Sequence, residues 1–284
     1  MAIFSIAAFV VTLRETMEAA LIIGILLAYL TQTNHQKLKR DIWIGTGLAG
    51  IASLIGAIII NFTIGEFEGR AEMIFEGVVM VSAALVLTWM ILWMRKNAHT
   101  LKRDLEEKTE SAISENKRFA LVGIAFIAVF REGIETVLFL GGISSSESVA
   151  ASSVGAIAGI LVAVVLAVLF FHGTVNLNMK QFFNVTSVIL IFFAAGIFSR
   201  GIHEFQELGF FGSESNYWNE HLWSTHAILS SSSGFGSILS ALFGYTDHPS
   251  LIELAAYFVY WAVIIVWSMK ISHIYESKMN ALTA

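Results

Sequence analysis

One charged pentapeptide occurs twice in this chain, each time inside a long apolar run: Arg14-Glu15-Thr16-Met17-Glu18 and Arg131-Glu132-Gly133-Ile134-Glu135. The runs set the fold class. Several exceed the roughly 18–20 residues that carry a helix across a ~30 Å hydrocarbon layer, so the chain reads as an all-α, multi-pass membrane protein. Of the 284 residues 56% are hydrophobic and 14% charged, the balance such a chain needs. Seven spans are expected, at about 3–30, 42–62, 73–94, 119–143, 149–172, 182–202 and 251–270. The single proline, Pro249, stands just before the last of them, where proline suits a helix start. Met1 to Phe9 lacks a basic stretch and a small-residue cleavage site, so it is expected to be a retained span rather than a signal peptide. With no cysteine in the chain, disulfides and thiolate metal sites are excluded.

An ionisable side chain at the centre of a spanning helix costs roughly 2.5–3.5 kcal/mol unless it pairs or binds something. Six of them in two spans mark a functional site. The flanks repeat as well: Phe9 and Phe126 precede the arginines by five residues, and Gly24 and Gly141 follow them by ten. The chain therefore carries an internal duplication, with the charged motif as its best-preserved part.

Basic residues set the expected orientation. Thirteen of the seventeen Lys and Arg fall in the loops after spans 1, 3, 5 and 7, which the positive-inside rule places in the cytoplasm. The N-terminus is then outside and the C-terminus cytoplasmic. Span 1 and span 4 run in opposite directions, so spans 1–3 and 4–6 form a 3+3 inverted repeat with a seventh helix appended, the architecture that puts a transporter's site at the repeat interface near the bilayer midplane. The expected divisions are repeat one at about 1–95, a cytoplasmic linker at about 96–118, repeat two at about 119–203, an outer loop at about 204–250 and the last helix at about 251–270. Acidic residues crowd the outer side, where an acidic mouth concentrates cations. No nucleic-acid partner is expected of a chain with net charge −5.

Spacing sets the chemistry of the motifs. Residues three and four apart share a helix face, so Glu15 and Glu18 form one carboxylate pair beside Arg14, and Glu132 and Glu135 form another beside Arg131. Four carboxylates against two arginines leave a charge of about −2, which suits a di- or trivalent cation. A pure ion-pair lock between two helices needs one acid per base, and each copy has two. Oxygen-only donors favour a hard or borderline ion, Fe, Mn, Mg or Ca rather than Cu(I). The expected metal ligands are thus Glu15, Glu18, Glu132 and Glu135, with Arg14 and Arg131 as charge partners.

Paired R-E-x-x-E motifs on the first and fourth of seven spans resemble the oxidase-dependent iron transporter family of high-affinity iron permeases, and in particular its bacterial ferrous-iron branch, to which the Efe uptake system belongs. The likeness continues through Gly65-Glu66-Phe67, Phe75-Glu76-Gly77, Leu87-Thr88-Trp89-Met90, Ala194-Ala195-Gly196, Ser224-Thr225-His226, Phe243-Gly244-Tyr245 and Pro249-Ser250. It implies iron as the transported substrate, no permanent cofactor, residence in the bacterial inner membrane, and a periplasmic iron-handling or oxidase-like partner. This chain departs from the family in having Thr16-Met17 where Gly-Leu is usual, and a thioether and hydroxyl beside the carboxylates could add weak ligands. Two other readings follow from the same residues: a permease for another cation such as lead or manganese, and an intramembrane di-metal enzyme. The enzyme reading lacks the Glu-x-x-His pattern of di-iron sites.

Further from the centre, Glu72 and Glu76 at the start of span 3 form a candidate outer entry, together with His203, Glu204 and Glu207 at the end of span 6. His221 and His226 in the long outer loop read first as solvated residues, with a metal role as the lesser alternative. Lys102 to Lys117 reads as a cytoplasmic helix or linker without a continuous apolar stripe, the serine run at 230–233 as a flexible loop, and Gly155 and Gly159 as a close-packing pair. Trp43, Trp89, Trp93, Tyr257, Tyr260 and Trp267 are expected near the interfaces.

Overall fold

The computed structural model describes residues 4–64, 69–97, 100–114, 117–144, 148–173, 178–211, 222–226, 228–231 and 234–283. Glu66, Glu68, Glu147, Glu214, Glu220 and His221 lie outside them. All the extended regular elements described are helices: α1 (Ile6–Gln32), α2 (Lys39–Ile64), α3 (Arg70–Asn97), α4 (Leu101–Ser114), α5 (Arg118–Ser144), α6 (Val149–Phe171), α7 (Met179–Glu207), α8 (Gly234–Phe243) and α9 (Leu251–Thr283). Each expected apolar segment falls within one of the long helices. Five of these, α2, α3, α6, α7 and α9, are long and apolar enough to cross a membrane, so this is a multi-pass membrane protein. The two others of comparable length, α1 and α5, each carry three charges of a pentapeptide.

The chain divides into two compact units, one of Met1–Glu72 and Ala98–Leu190, the other of Met73–Asn97 and Ile191–Ala284. In the first, α1 packs mainly on α6 and α2 on α5. Both pairs run parallel. Gly155 of α6 lies against Ser5 and Gly159 against Thr12, while Gly24 further along α1 meets the Phe171 ring at the end of α6. Gly45 of α2 lies against Val122, and Ser53 meets Gly133 one helical stretch later. Arg118 and Asp41, in the first turns of α5 and α2, make a bidentate pair at 3.0 Å on each arm.

One glycine contact in each pair corresponds. A Cβ at Gly155 would sit 2.2 Å from the Ser5 carbonyl oxygen and 3.3 Å from Ala8 Cβ; one at Gly45 would sit 2.3 Å from the Val122 oxygen and 3.0 Å from Ala125 Cβ. Ser5 and Val122 each precede their motif arginine by nine residues, and Ala8 and Ala125 by six. Each motif-bearing helix thus meets a glycine of its neighbour at the same offset from its arginine. The contact is tight because small residues let backbones approach, and Thr12 uses the proximity to donate to the Ala156 carbonyl at 3.1 Å.

An apolar cluster closes one end of this unit. Ile22, Leu26 and Leu30 from the second half of α1 meet Ile42 of α2 and Leu121 and Ala125 of α5, so the C-terminal half of α1 sits by the N-terminal half of α5 and the two helices are antiparallel. α4 joins the cluster through Leu105 and Ala112, with Thr109 buried between them. These residues form a buried stripe at i, i+4, i+7 with a threonine in its middle, so the stretch packs as a helix although its apolar residues are not continuous. Its other face carries the exposed pairs Lys102–Glu106 (3.8 Å) and Arg103–Glu107 (3.4 Å), worth a few tenths of a kcal/mol each at most.

In the second unit α3 and α7 cross at Gly77 and Gly201, and Gly196 of α7 abuts Gly244, whose φ of +69° lies in the left-handed region that glycine tolerates. Tyr260, expected at an interface, is instead buried, its hydroxyl 2.5 Å from that of Thr88. Trp43, Trp89 and Trp267 are exposed as interface residues should be. α9 starts on a capping box: Ser250 N–H donates to Glu253 Oε2 (2.7 Å) and Glu253 N–H to Ser250 Oγ (3.2 Å). The segment after the serine run is not loop throughout, since α8 begins at Gly234.

Candidate functional site

Both pentapeptides lie in the interior of the first unit, where α1 and α5 approach antiparallel. Arg14 is 1% exposed and reaches both acids of its own helix, Nη1 to Glu15 Oε1 at 2.9 Å and Nη2 to Glu18 Oε1 at 2.7 Å. On α5, Arg131 Nε bonds Glu135 Oε1 at 2.9 Å and stands 3.9 Å from Glu132 Oε1. The two copies differ in exposure. Arg131 keeps 35% of its side chain accessible, against 1% for Arg14.

Glu15, Glu18 and Glu132 are all buried, and each offers an oxygen such that all three lie within 4.8 Å of one another, the arrangement that could hold one cation. Glu135 is turned to Arg131. Buried oxygens Oε2 of Glu15, Glu132 and Glu135 have no hydrogen-bond partner. Leaving a buried charged acceptor unpaired is costly, on the order of 1–3 kcal/mol or more, and two of these carboxylates, Glu15 and Glu132, belong to the converging group. A cation there would satisfy them together.

The helix period decides which neighbours join the cluster. Met17, between the two acids in sequence, points to the opposite arc and is buried among Ala163, Ala167, Leu13 and Phe182. Its thioether is a packing group, which corrects the expectation that it adds a ligand. Thr12, two residues before the motif on α1, donates to the Ala8 and Ala156 carbonyls and so serves the α1–α6 contact.

The outer-entry candidates are distributed differently. Glu72 is exposed at the start of α3, and Glu76 is half-buried one turn on. His203 lies between two carboxylates, Nε2 at 3.1 Å from Glu207 and Nδ1 at 3.3 Å from Glu253. Glu204 packs beside Gly77. Glu253 was not singled out from the sequence as a partner of His203, although Ser250-Leu251-Ile252-Glu253 is a legible capping box that fixes its position. His226, expected to be solvated, bonds Asp247 through Nδ1 at 2.6 Å, and the His248 ring stacks on it at 5.8 Å.

Long apolar helices around a buried, charge-rich centre are the build of a membrane permease, a protein whose work is passage rather than bond-breaking. The chain belongs to the iron permease FTR1 family, whose model matches residues 5–276. It is similar to the ferrous iron permease EfeU of Escherichia coli O6:H1, 39% identical over 254 residues that cover 89% of this chain and 91% of that protein. It is also similar to ferrous iron permease EfeU of Yersinia pestis, at 34% identity over 89% of each chain. No solved structure matches it. The family and these relatives are permeases, not enzymes, which sets aside the di-metal enzyme.

Proposed function

We propose that this protein is a high-affinity permease that imports iron across the bacterial inner membrane, and that the two R-E-x-x-E motifs form its cation site near the midplane. The observation that carries this is the convergence of Glu15, Glu18 and Glu132 with unpartnered buried oxygens beside two arginines. The names of the relatives point to ferrous iron as the cargo. Glu135 completes the set when Arg131 releases it. The unequal exposure of the arginines divides their work: Arg14, enclosed and bound to two acids, is the fixed countercharge, and Arg131 is the one that swings aside as the cation arrives. Its departure exposes a fourth carboxylate when the extra positive charge enters, so net charge in the low-dielectric centre stays nearly constant. Exchange has to be quick for transport, so the ion keeps some water ligands.

Seven spanning helices, with spans 1–3 and 4–6 as an inverted repeat, account best for the packing. A rotation that exchanges α1 with α5 must exchange α6 with α2, and the α1–α6 and α2–α5 contacts are matched at Ser5/Val122 and Ala8/Ala125. The charge distribution supports an outside N-terminus and a cytoplasmic C-terminus. A chain without cysteine makes this directly testable. Ser114→Cys is expected to react with an impermeant thiol reagent only from the cytoplasmic side, and Ser224→Cys only from the periplasmic side; the reverse pattern would overturn the orientation.

The acidic periplasmic side chains, Glu72 in the first unit and Glu76, His203, Glu204 and Glu207 in the second, serve cation capture and the docking of an iron-handling or oxidase-like protein. Surface capture is screened over a Debye length of about 8 Å at physiological salt, whereas a buried site is not. Neutralising Glu72, Glu204 and Glu207 together is expected to raise the iron concentration for half-maximal uptake severalfold, more at low salt than at high, with the saturated rate unchanged. Loss of the saturated rate at unchanged half-saturation would place these acids in the permeation path.

The test of the cargo is uptake into liposomes containing this protein alone, with ferrous iron, ferric iron, manganese and lead supplied separately. Ferrous iron is expected to enter and to be competed weakly by the others. Equal or faster entry of manganese or lead would replace the iron assignment.

A further inference from the structure

We infer that the segment between α7 and α9 carries a second metal site, in which His226, Asp247 and His248 bind a first-row divalent cation through two imidazoles and a carboxylate. One ligand atom from each of the three lies within 4.8 Å of the others. Donor atoms around a single tetrahedral ion stand about 3.4 Å apart, so modest side-chain rotation closes the set, and both histidines are exposed enough to make it.

The backbone around these residues is built to hold them. Leu222 N–H donates to the Pro249 carbonyl at 3.0 Å and Thr225 N–H to the Asp247 carbonyl at 2.9 Å, which lays the His226 segment along the Asp247–His248 segment. Tyr245 locks the turn, its hydroxyl donating to the Leu229 carbonyl at 2.8 Å and lying 2.5 Å from Thr225 Oγ1. Asp247 is buried, and Ser231 grips it twice, Oγ on Oδ1 at 3.0 Å and N–H on Oδ2 at 3.3 Å. Ligating carboxylates are characteristically oriented by such outer hydrogen bonds.

A simpler account would make this a loop clamp. The clamp, however, is complete with His226, Ser231 and Asp247, and it does not call for a second imidazole stacked at 5.8 Å and 21° on the first. Two imidazoles and one carboxylate are instead a donor set for Fe(II) or Zn(II). The set also differs chemically from the buried glutamates, which offer oxygen alone. Nitrogen ligation is therefore a signature that the central site cannot produce.

The test is titration of the purified full-length protein in detergent with Co2+ alone, read by its ligand-field absorption and by X-ray absorption for nitrogen neighbours. Wild-type protein and a Glu132→Gln variant are both expected to bind one Co2+ with imidazole ligation. His248→Ala leaves the His226–Asp247–Ser231 bonds in place, so the protein should remain folded and monodisperse while its Co2+ affinity falls at least about tenfold. His226→Ala and Asp247→Asn should lose the same signal. Unchanged Co2+ binding in His248→Ala, or Co2+ bound to wild type without nitrogen neighbours, would overturn the site. Loss of the signal in Glu132→Gln with retention in His248→Ala would do the same by assigning the ion to the central glutamates.

Discussion

Glu18→Gln and Glu132→Gln are each expected to reduce ferrous iron uptake into proteoliposomes by about two orders of magnitude, with the protein still inserted and monodisperse. Gln preserves size and one carbonyl acceptor but removes the charge that balances the cation. Truncating one partner of a buried charge pair in a binding site costs about 2–5 kcal/mol of binding, and at 1.4 kcal/mol per tenfold the middle of that range is at least about a hundredfold in cation affinity. Folding survives because compensation remains in each case. Arg14 still has Glu15 at 2.9 Å when Glu18 is neutral, and Arg131 still has Glu135 when Glu132 is. Glu72→Gln, at an exposed position, is the control and should leave the saturated rate within about twofold. Normal uptake by Glu18→Gln would return the motif to an ion-pair lock between helices.

Much of this architecture was legible because the bilayer imposes a simple rule on the chain. Apolar runs of sufficient length marked the long helices, and the six charges inside two of them marked the residues that the fold buries together. The duplication was visible in the motifs and in Phe9/Phe126 and Gly24/Gly141, yet its tightest contacts, Gly45 on Val122 and Gly155 on Ser5, join positions with little side-chain likeness. Backbone approach depends on what is missing from a glycine, which no pairwise similarity of Ser5 to Val122 reveals. Charge spacing also suggested two equivalent half-sites. Rotamers and packing made them unequal, enclosing Arg14 and leaving Arg131 partly open. The His226–Asp247–His248 cluster left no signal in spacing, because its members are brought together across some twenty residues by main-chain bonds of Leu222 and Thr225. Helix α4 packs through Leu105 and Ala112, about two turns apart with Thr109 between them, an apolar pattern too sparse to stand out among the charges around it.

The glycine crossings supply the other large effect. Gly45→Ala and Gly155→Ala each place a Cβ within 2.3 Å of a carbonyl oxygen on the neighbouring helix, Val122 in one case and Ser5 in the other. Backbone oxygen cannot rotate away as a side chain would, so the two helices must separate or the crossing must be lost, and overpacking of this kind costs typically about 1–3 kcal/mol. The equivalent contacts should give equivalent losses, read as a drop of several degrees in melting temperature in detergent and reduced uptake for both variants. Because α1 and α5 carry the pentapeptides, displacing either from its partner also loosens the convergence of Glu15, Glu18 and Glu132. Gly47 and Gly50, on the same helix as Gly45, have nothing within 4 Å of an added Cβ. Alanine at those positions should be neutral or stabilising by up to about 1 kcal/mol through helix propensity. If Gly45→Ala were as benign as Gly47→Ala while Gly155→Ala was damaging, the two helix pairs would not be equivalent, and the inverted repeat would lose its support in packing.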